Sequence, residues 1–339
     1  MKTIFVVDDN NVNLLAAEKA LTAHYRVFTL PSASGMFELL EDIIPDLILL
    51  DIEMPDTNGF DALKQLKSNA LYAGISVVFL TSRSDVSAEV LGFELGAIDF
   101  ISKPFSEPAL YNRLKTHLDI DAIIREQTEE LQRLKNSIVS SMARVVESRD
   151  ELTGKHIERT TMYIKVLLDA MLKSGVYSEE VENWDAEAVA FLARLHDVGK
   201  IKVSDAILNK PGKLTDEEFD IMKTHTTEGE RIIDDIINES GDKIFLHNAR
   251  LFAGCHHERW DGTGYPRGLK GEDIPLHGRV MAIADVYDAL VSDRPYKKPF
   301  SHEQAVDIII ESKGKHFDPK VVDVFLGVSG QFAEVGRCQ

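Results

Sequence analysis

The sequence predicts two domains of different class: an α/β domain on a five-stranded, doubly wound parallel sheet, followed by an all-α domain. Three observations predict it. Five short β-rich runs alternate with five helix-period segments before residue 120, and nearly everything past residue 140 has a helical period. The length, 339 residues, is enough for two separate cores.

The runs Thr3–Val7, Arg26–Leu30, Leu47–Leu50, Ser76–Leu80 and Ile98–Ile101 carry the apolar residues that suit a pleated sheet. Between and after them, amphipathic segments lie near Asn11–Ala23, Ser34–Ile43, Gly59–Ser68, Asp85–Leu95 and Glu107–Leu118. Such βα alternation implies parallel strands with helices on both faces. In these folds function gathers at the carboxyl ends of the strands. There the chain places Asp8 and Asp9, Asp51, Thr81, and Lys103-Pro104. Three converging carboxylates repel one another, so a hard cation such as Mg²⁺ is the natural neutraliser. A lysine and a hydroxyl aimed at the same point can hold phosphoryl oxygens.

From Tyr111 onward the helical period does not stop. Ile124, Leu131, Ile138 and Val145 recur every seven residues, with Leu134 on the same seam. These heptads predict a coiled coil that joins two protomers into a homodimer. The alternative is a single amphipathic helix packed on its own catalytic domain. No Pro or Gly lies between Leu110 and Lys135, so the connector is stiff.

Composition excludes several classes. With 38 basic against 56 acidic residues and a formal net charge of −18, the chain lacks the basic stripe that DNA binding needs. No apolar run approaches the ~18 residues of a membrane span, and the N-terminus turns acidic too soon for a signal peptide. Two cysteines, Cys255 and Cys338, fit a reducing cytoplasm rather than a disulfide framework. Cys255 adjoins a histidine pair, yet a small buried hydrophobe is the better reading.

The helical half concentrates histidine: of 11, only His24 and His117 precede residue 150. His156, the pair His196-Asp197 in ARLHDVGK, His225, the pair His256-His257, and Asp285 in AIADVYDAL stand out. Any one histidine on an amphipathic helix is more often a satisfied core residue. Together, imidazoles and carboxylates suit iron, manganese, zinc or nickel, and a bridging aspartate can hold two ions. Without thiolate ligands in this set, the pattern argues against a structural zinc finger. Two close metals lower the pKa of a shared water and stabilise the charge that builds as a phosphodiester is attacked. Lys200 follows Asp197 by three residues, which on a helix sets its ammonium on the ligand face, able to hold a phosphate oxygen.

The segments VVDD, LLDIEMP, LTS and KPF resemble the receiver domain of two-component response regulators, over roughly residues 1–120. The resemblance implies that Asp51 accepts a phosphoryl group from a sensor histidine kinase. It implies Mg²⁺ on Asp9, Asp51 and the backbone carbonyl of Glu53, with Asp8 acting through water. Thr81 and Lys103 would contact the phosphoryl oxygens, Phe100 would be the switch aromatic, and Lys103-Pro104 a cis bond.

HDVGK together with HHERWDGTGYP resembles the HD-GYP family, a branch of the HD-domain metal-dependent phosphohydrolases, over roughly residues 135–328. GKHIERT, ILNKPGKLTDEEF, GRVMAIADVYDAL, DRPYKKPFSHEQAV and HFDPKVVDVF extend the match. The resemblance implies a phosphodiesterase that opens cyclic di-GMP to pGpG and/or GMP; some members prefer 3′,3′-cGAMP. It implies two divalent ions, iron or manganese. One would sit on His156, His196, Asp197 and Asp285, the other on Asp197, His225, His256 and His257. Asp197 and Lys200 would be catalytic. Asp261 to Pro266 would shape the pocket, with Tyr265 and Pro266 as a rigid wall, and Lys200, Arg294 and Lys297 would contact the phosphates. Some members carry a glutamate that binds a third metal; here Leu152 stands in its place and Glu151 one step away, so two metals are expected, not three. His316 replaces a polar amide common in relatives and has no assigned role.

The expected division is a receiver at 1–120, a connector at 121–145 and an HD-GYP domain at 146–330. An adaptor that docks partners through the GYP loop is the competing function. Degenerate ligands would favour it, and no core ligand is missing.

Overall fold

The computed structural model describes residues 1–55, 57–82, 86–149, 155–241, 243–293 and 298–337. Asp85, Glu151, Leu152, Arg294, Lys297 and Cys338, all named above, lie outside the described residues. The chain divides into two compact units, Met1–Leu131 and Gln132–Gln339.

In the first unit, strands β1 (Thr3–Val7), β2 (Arg26–Leu30), β3 (Leu47–Asp51), β4 (Ser76–Thr81) and β5 (Asp99–Ser102) form one parallel sheet. Their order is β2-β1-β3-β4-β5. Helices α1 (Asn11–Leu21), α2 (Ala33–Leu40), α3 (Gly59–Ser68), α4 (Val86–Glu94) and α5 (Glu107–Glu147) alternate with them. Period-two alternation sorts the side chains onto two faces. Ile4, Val6, Leu47, Leu49, Val78, Leu80 and Ile101 pack with Leu14, Leu21, Leu110 and Leu114 of α1 and α5. Phe5, Val7, Ile48, Leu50, Val77, Phe79 and Phe100 pack with Met36, Leu40, Leu63 and Leu66 of α2 and α3. Asn10, Ser32 and Asn58 cap α1, α2 and α3, each side chain accepting a backbone N–H.

The two connector readings concern different faces of helix α5. Ile124, Leu131, Leu134, Ile138 and Val145 are each more than half exposed, so the heptad seam is open. A different side of the same last turns buries Val139, Ala143 and Val146 against Leu192, Leu195, Ile233 and Ala249. The helix therefore packs on its own helical unit without using the seam.

That unit consists of α6 (His156–Ser174), α7 (Ser178–Val181), α8 (Ala186–Leu192), α9 (Asp205–Leu208), α10 (Asp216–Lys223), α11 (His225–Ser240), α12 (Lys243–Cys255), α13 (Leu276–Val291), α14 (His302–Glu311) and α15 (Pro319–Arg337). After α8 the chain tightens into 3₁₀ turns at Ala193–Leu195 and Val198–Lys202. Gly199 explains how closely the second turn approaches α11. A Cβ there would lie 1.9 Å from the His225 carbonyl oxygen and 2.5 Å from the Gly229 nitrogen, so backbone packs on backbone. Among the described residues no helix is long and apolar enough to cross a membrane.

Candidate metal centre

The five segments that carry the expected ligands meet in the helical unit. His156 opens α6, His196 and Asp197 sit between the two 3₁₀ turns, His225 opens α11, His256 and His257 follow α12, and Asp285 lies within α13. Ligand atoms of His156, His196 and Asp285 come within 4.8 Å of one another, and so do those of His225, His256 and His257. Asp197 stands between the groups. Its Oδ2 is 3.3 Å from His196 Nε2, while its Oδ1 is 3.5 Å from His225 Nε2 and 3.7 Å from His256 Nε2. Each oxygen faces a different group, as a bridging carboxylate requires.

The tautomers are fixed by the backbone. The Nδ1 atoms of His196, His225 and His256 lie 2.8, 2.7 and 2.9 Å from the carbonyl oxygens of Ala193, Met222 and Phe252. A carbonyl only accepts, so Nδ1 holds the proton and Nε2 presents a lone pair. Among the described residues the buried His196 Nε2 has no hydrogen-bond partner. His225 Nε2 and His256 Nε2 face each other at 3.3 Å. Two lone pairs at that distance repel unless a cation lies between or beside them. The donor set therefore fits divalent transition-metal ions.

The electrostatics agree. Burial pulls the His225 imidazole down to about 4 and His257 well below its ordinary value, which keeps both neutral and able to ligate. For Asp197, burial opposes ionisation, but Lys200 and His196 outweigh it and hold the carboxyl well below the usual range. Burial likewise opposes charge on His156, yet Asp288 and Asp285 raise it, so this pocket favours a positive occupant. Cys255 is buried, and burial pushes its thiol up to about 11. It packs as the neutral hydrophobe expected from sequence.

Lys200 Nζ reaches Asp197 Oδ2 at 2.8 Å. The sequence suggested an α-helical face; the segment is 3₁₀ instead, in which residues three apart eclipse and meet more directly. Arg149, just past α5, fixes this turn. Its Nη1 donates to the Lys200 and Ile201 carbonyls at 3.3 and 2.9 Å, and its Nη2 donates to the Val203 carbonyl and Asp205 Oδ1 at 3.0 and 2.7 Å.

Sequence reasoning also missed Asp288 and Glu258. Asp288 Oδ2 accepts from His156 Nδ1 at 2.7 Å, so this ring takes a carboxylate where three others take carbonyls. Arg159 grips the same carboxylate with Nε at 2.6 Å and Nη2 at 2.9 Å. Glu258 accepts the backbone N–H groups of Arg267 and Leu269 at 2.8 and 3.0 Å, which folds the GYP loop back on itself. A Cβ on Gly264 would lie 2.3 Å from the Arg259 nitrogen, and Gly262 has φ 84°, so both glycines are required. Trp260 and Asp261 donate their N–H groups to the carbonyls of His316 and Lys315, which gives this segment a backbone role. Tyr265, joined to Pro266 by a cis bond, sets its ring 4.8 Å from that of His257.

At the sheet edge of the first unit, ligand atoms of Asp8, Asp9 and Asp51 come within 4.8 Å of one another. Lys103 Nζ lies 3.0 Å from Asp8 Oδ2 and 2.7 Å from Asp51 Oδ1. Burial raises the Asp51 carboxyl against the pull of Lys103. Thr81 is buried at the end of β4, and Phe100 is buried with its ring 5.4 Å from Phe79 and 5.0 Å from Phe93. The side chain of Glu53 is exposed and accepts from Ser82 Oγ at 3.0 Å. The Lys103-Pro104 bond is cis, as the sequence suggested.

Fold and site together define a two-part class: an acidic-edged α/β domain of the receiver type, coupled to a helical metal-ligand domain. Family models match on both counts, a response regulator receiver domain over residues 4–115 and an HD domain over residues 140–321. The chain belongs to the HD domain family, in its HD-GYP branch, with a receiver domain at its N-terminal side. It is 40% identical to a probable cyclic di-GMP phosphodiesterase of Vibrio cholerae serotype O1, over 99% of this chain and 79% of that protein. It is 33% identical to the cyclic di-GMP phosphodiesterase response regulator RpfG of Xanthomonas campestris pv. campestris, over 86% of this chain and 77% of that one. A 3′3′-cGAMP-specific phosphodiesterase 2 of Vibrio cholerae is 37% identical over 70% of this chain and 42% of its own length.

Proposed function

We propose that this protein is a response regulator whose output is metal-dependent hydrolysis of cyclic di-GMP to pGpG and/or GMP. The observation that carries the reading is Asp197, set between two imidazole-rich groups with one oxygen toward each. His156, His196 and Asp285 would hold one ion and His225, His256 and His257 the other, with Asp197 shared. Two such ions, iron or manganese, would supply hydroxide at neutral pH and neutralise the charge that builds on the phosphodiester. Lys200 holds a phosphate oxygen beside them, and Tyr265 and Pro266 wall the substrate. Arg294 and Lys297 supply the further cations that a doubly charged substrate needs in a chain of net charge −18.

In the receiver, residues 1–120, Asp51 takes a phosphoryl group from a sensor histidine kinase. Asp9, Asp51 and the Glu53 carbonyl would hold Mg²⁺, with Asp8 acting through water. Thr81 and Lys103 hold the phosphoryl oxygens, and Phe100 reports the change. The connector, 121–145, joins two copies along its open seam, and the catalytic domain spans 146–330. The protein works in the cytoplasm, and its acidic charge leaves DNA without a docking surface.

The test is chromatography of products after anaerobic incubation with Fe²⁺ or Mn²⁺. Linear pGpG or GMP should form from cyclic di-GMP, chelation should abolish it, and elemental analysis should give close to two ions per chain in the helical domain. Turnover that survives complete metal removal would overturn the mechanism, and a ratio near three would overturn the count. Faster turnover of 3′,3′-cGAMP would move the substrate to the second reading, which the relative specific for that dinucleotide supports.

Control has its own expected result. A phosphoryl mimic such as beryllofluoride should change activity, sedimentation or both in the wild type, and neither in Asp51→Asn. Ile138→Lys, on the seam, should give monomers. A mimic that binds without altering either property would remove the receiver as regulator.

A further inference from the structure

We infer that Phe219 and Tyr265 form a purine-stacking subsite at the rim of the metal centre, which takes one base of the substrate. The inference rests on the phosphodiesterase reading and goes further, to what holds the substrate outside its phosphates. Phe219 belongs to α10, a helix with no buried residue, and is itself 46% exposed. It is not a core aromatic. Its place is nevertheless fixed. Thr215 and Glu218 close a capping box at the start of α10, with the Thr215 hydroxyl accepting the Glu218 N–H and the Glu218 carboxylate accepting the Thr215 N–H. Lys210 adds an ion pair to Glu218. The end of α10 passes through Thr224 directly into His225, so the ring is held six residues before a ligand.

The two rings make a corner. Phe219 and Tyr265 stand edge to face, with centroids 6.2 Å apart and planes at 83°. Tyr265 also lies against His257, with centroids 4.8 Å apart and planes tilted by 33°. The Lys223 ammonium sits 5.3 Å from the Phe219 centroid and is paired with Asp220. An exposed phenylalanine beside a lysine, one ring removed from the metal ligands, offers what a nucleobase seeks: a π-face for stacking and a donor for its acceptor edge. A dinucleotide with its scissile phosphate at the metals has to put a base within a nucleoside's length of them; the Tyr265 ring lies 4.8 Å from His257 and 6.4 Å from His225, and Phe219 stands 6.2 Å from Tyr265. Every base has a π-face, so the subsite contributes affinity for guanine and adenine alike. It does not choose between cyclic di-GMP and 3′,3′-cGAMP.

The experiment compares a substrate that carries bases with one that does not. Full-length, metal-loaded wild type, Phe219→Ala and Phe219→Trp are assayed on cyclic di-GMP and on bis(p-nitrophenyl) phosphate, a phosphodiester without a purine. Phe219→Ala should raise KM for cyclic di-GMP roughly tenfold or more while keeping its metal content and its kcat/KM on the base-free diester. Phe219→Trp should restore the wild-type KM or lower it. Unchanged KM in Phe219→Ala, with wild type active, would overturn the subsite alone. Equal losses on both substrates would show general damage near the metals and overturn it too. A wild type that cleaves the base-free diester but no cyclic dinucleotide would overturn the functional reading, and the subsite with it.

Discussion

Asp197→Ala should abolish cyclic di-GMP hydrolysis and release bound metal together, while circular dichroism reports intact helices. Among the described residues it is the one carboxylate that reaches ring nitrogens of both groups, at 3.3 Å on one side and 3.5 and 3.7 Å on the other. Without it, each group keeps ligands but the shared ligand is gone, and Lys200 loses the partner that aims its ammonium. A two-metal site supplies both the nucleophile and the charge neutralisation, so its collapse should cost at least about a thousandfold in kcat. The fold should persist, because Asp197 is a member of neither hydrophobic cluster of the helical unit. A variant that retains two ions and near-normal turnover would end the bridging model.

Asp288→Ala should have the largest effect on stability. Three groups depend on this buried carboxylate: the His156 ring, the Arg159 guanidinium and the Ser292 hydroxyl. Removing one partner of a buried ion pair leaves the other charge without compensation, at a cost of about 3–5 kcal/mol. For a domain of this size that lowers the apo Tm by about 10 °C. His156 also loses the acceptor that orients it, and losses of this kind weaken metal binding roughly ten- to a hundredfold. Thermal melting of the apo protein and metal titration against a competing chelator read the two effects separately. Asp288→Asn, which keeps an acceptor for His156 but not the charge for Arg159, should lose more Tm than metal affinity. If Asp288→Ala moved neither quantity, the carboxylate would have no part in the site.

The sheet was legible because β-branched runs and helical periods alternate without interruption, and the first two strands fall where the apolar runs do. The cluster of histidines and aspartates was legible because imidazoles and carboxylates gathered on helices are rare unless something binds them. What could not be read are the residues whose meaning comes from distance along the chain. Arg159 and Asp288 are 129 residues apart, and Arg149 and Lys200 are 51 apart. Asp288 looked like one polar position in a helix that is buried nearly all round. Glu258 sat in plain view after the histidine pair, but its use is to hold a backbone 9 and 11 residues further on. A faint local signal did exist: His156 and Arg159 share a spacing of three with Asp285 and Asp288, and paired spacings on two helices point to two helices that face each other.

Arg149 has a consequence for how the protein breathes. Its guanidinium holds the carbonyls that end the Lys200 turn, and its own carbonyl accepts from Asn209 Nδ2 at 2.9 Å. The end of α5 and the Lys200 segment therefore cannot fray separately; they melt and re-form as one cooperative unit. Any loosening of that helix end, from whatever cause, lifts Lys200 away from Asp197 in the same event. In the proposed mechanism, where Lys200 holds a phosphate oxygen, catalytic competence would follow the fraction of time this unit spends closed.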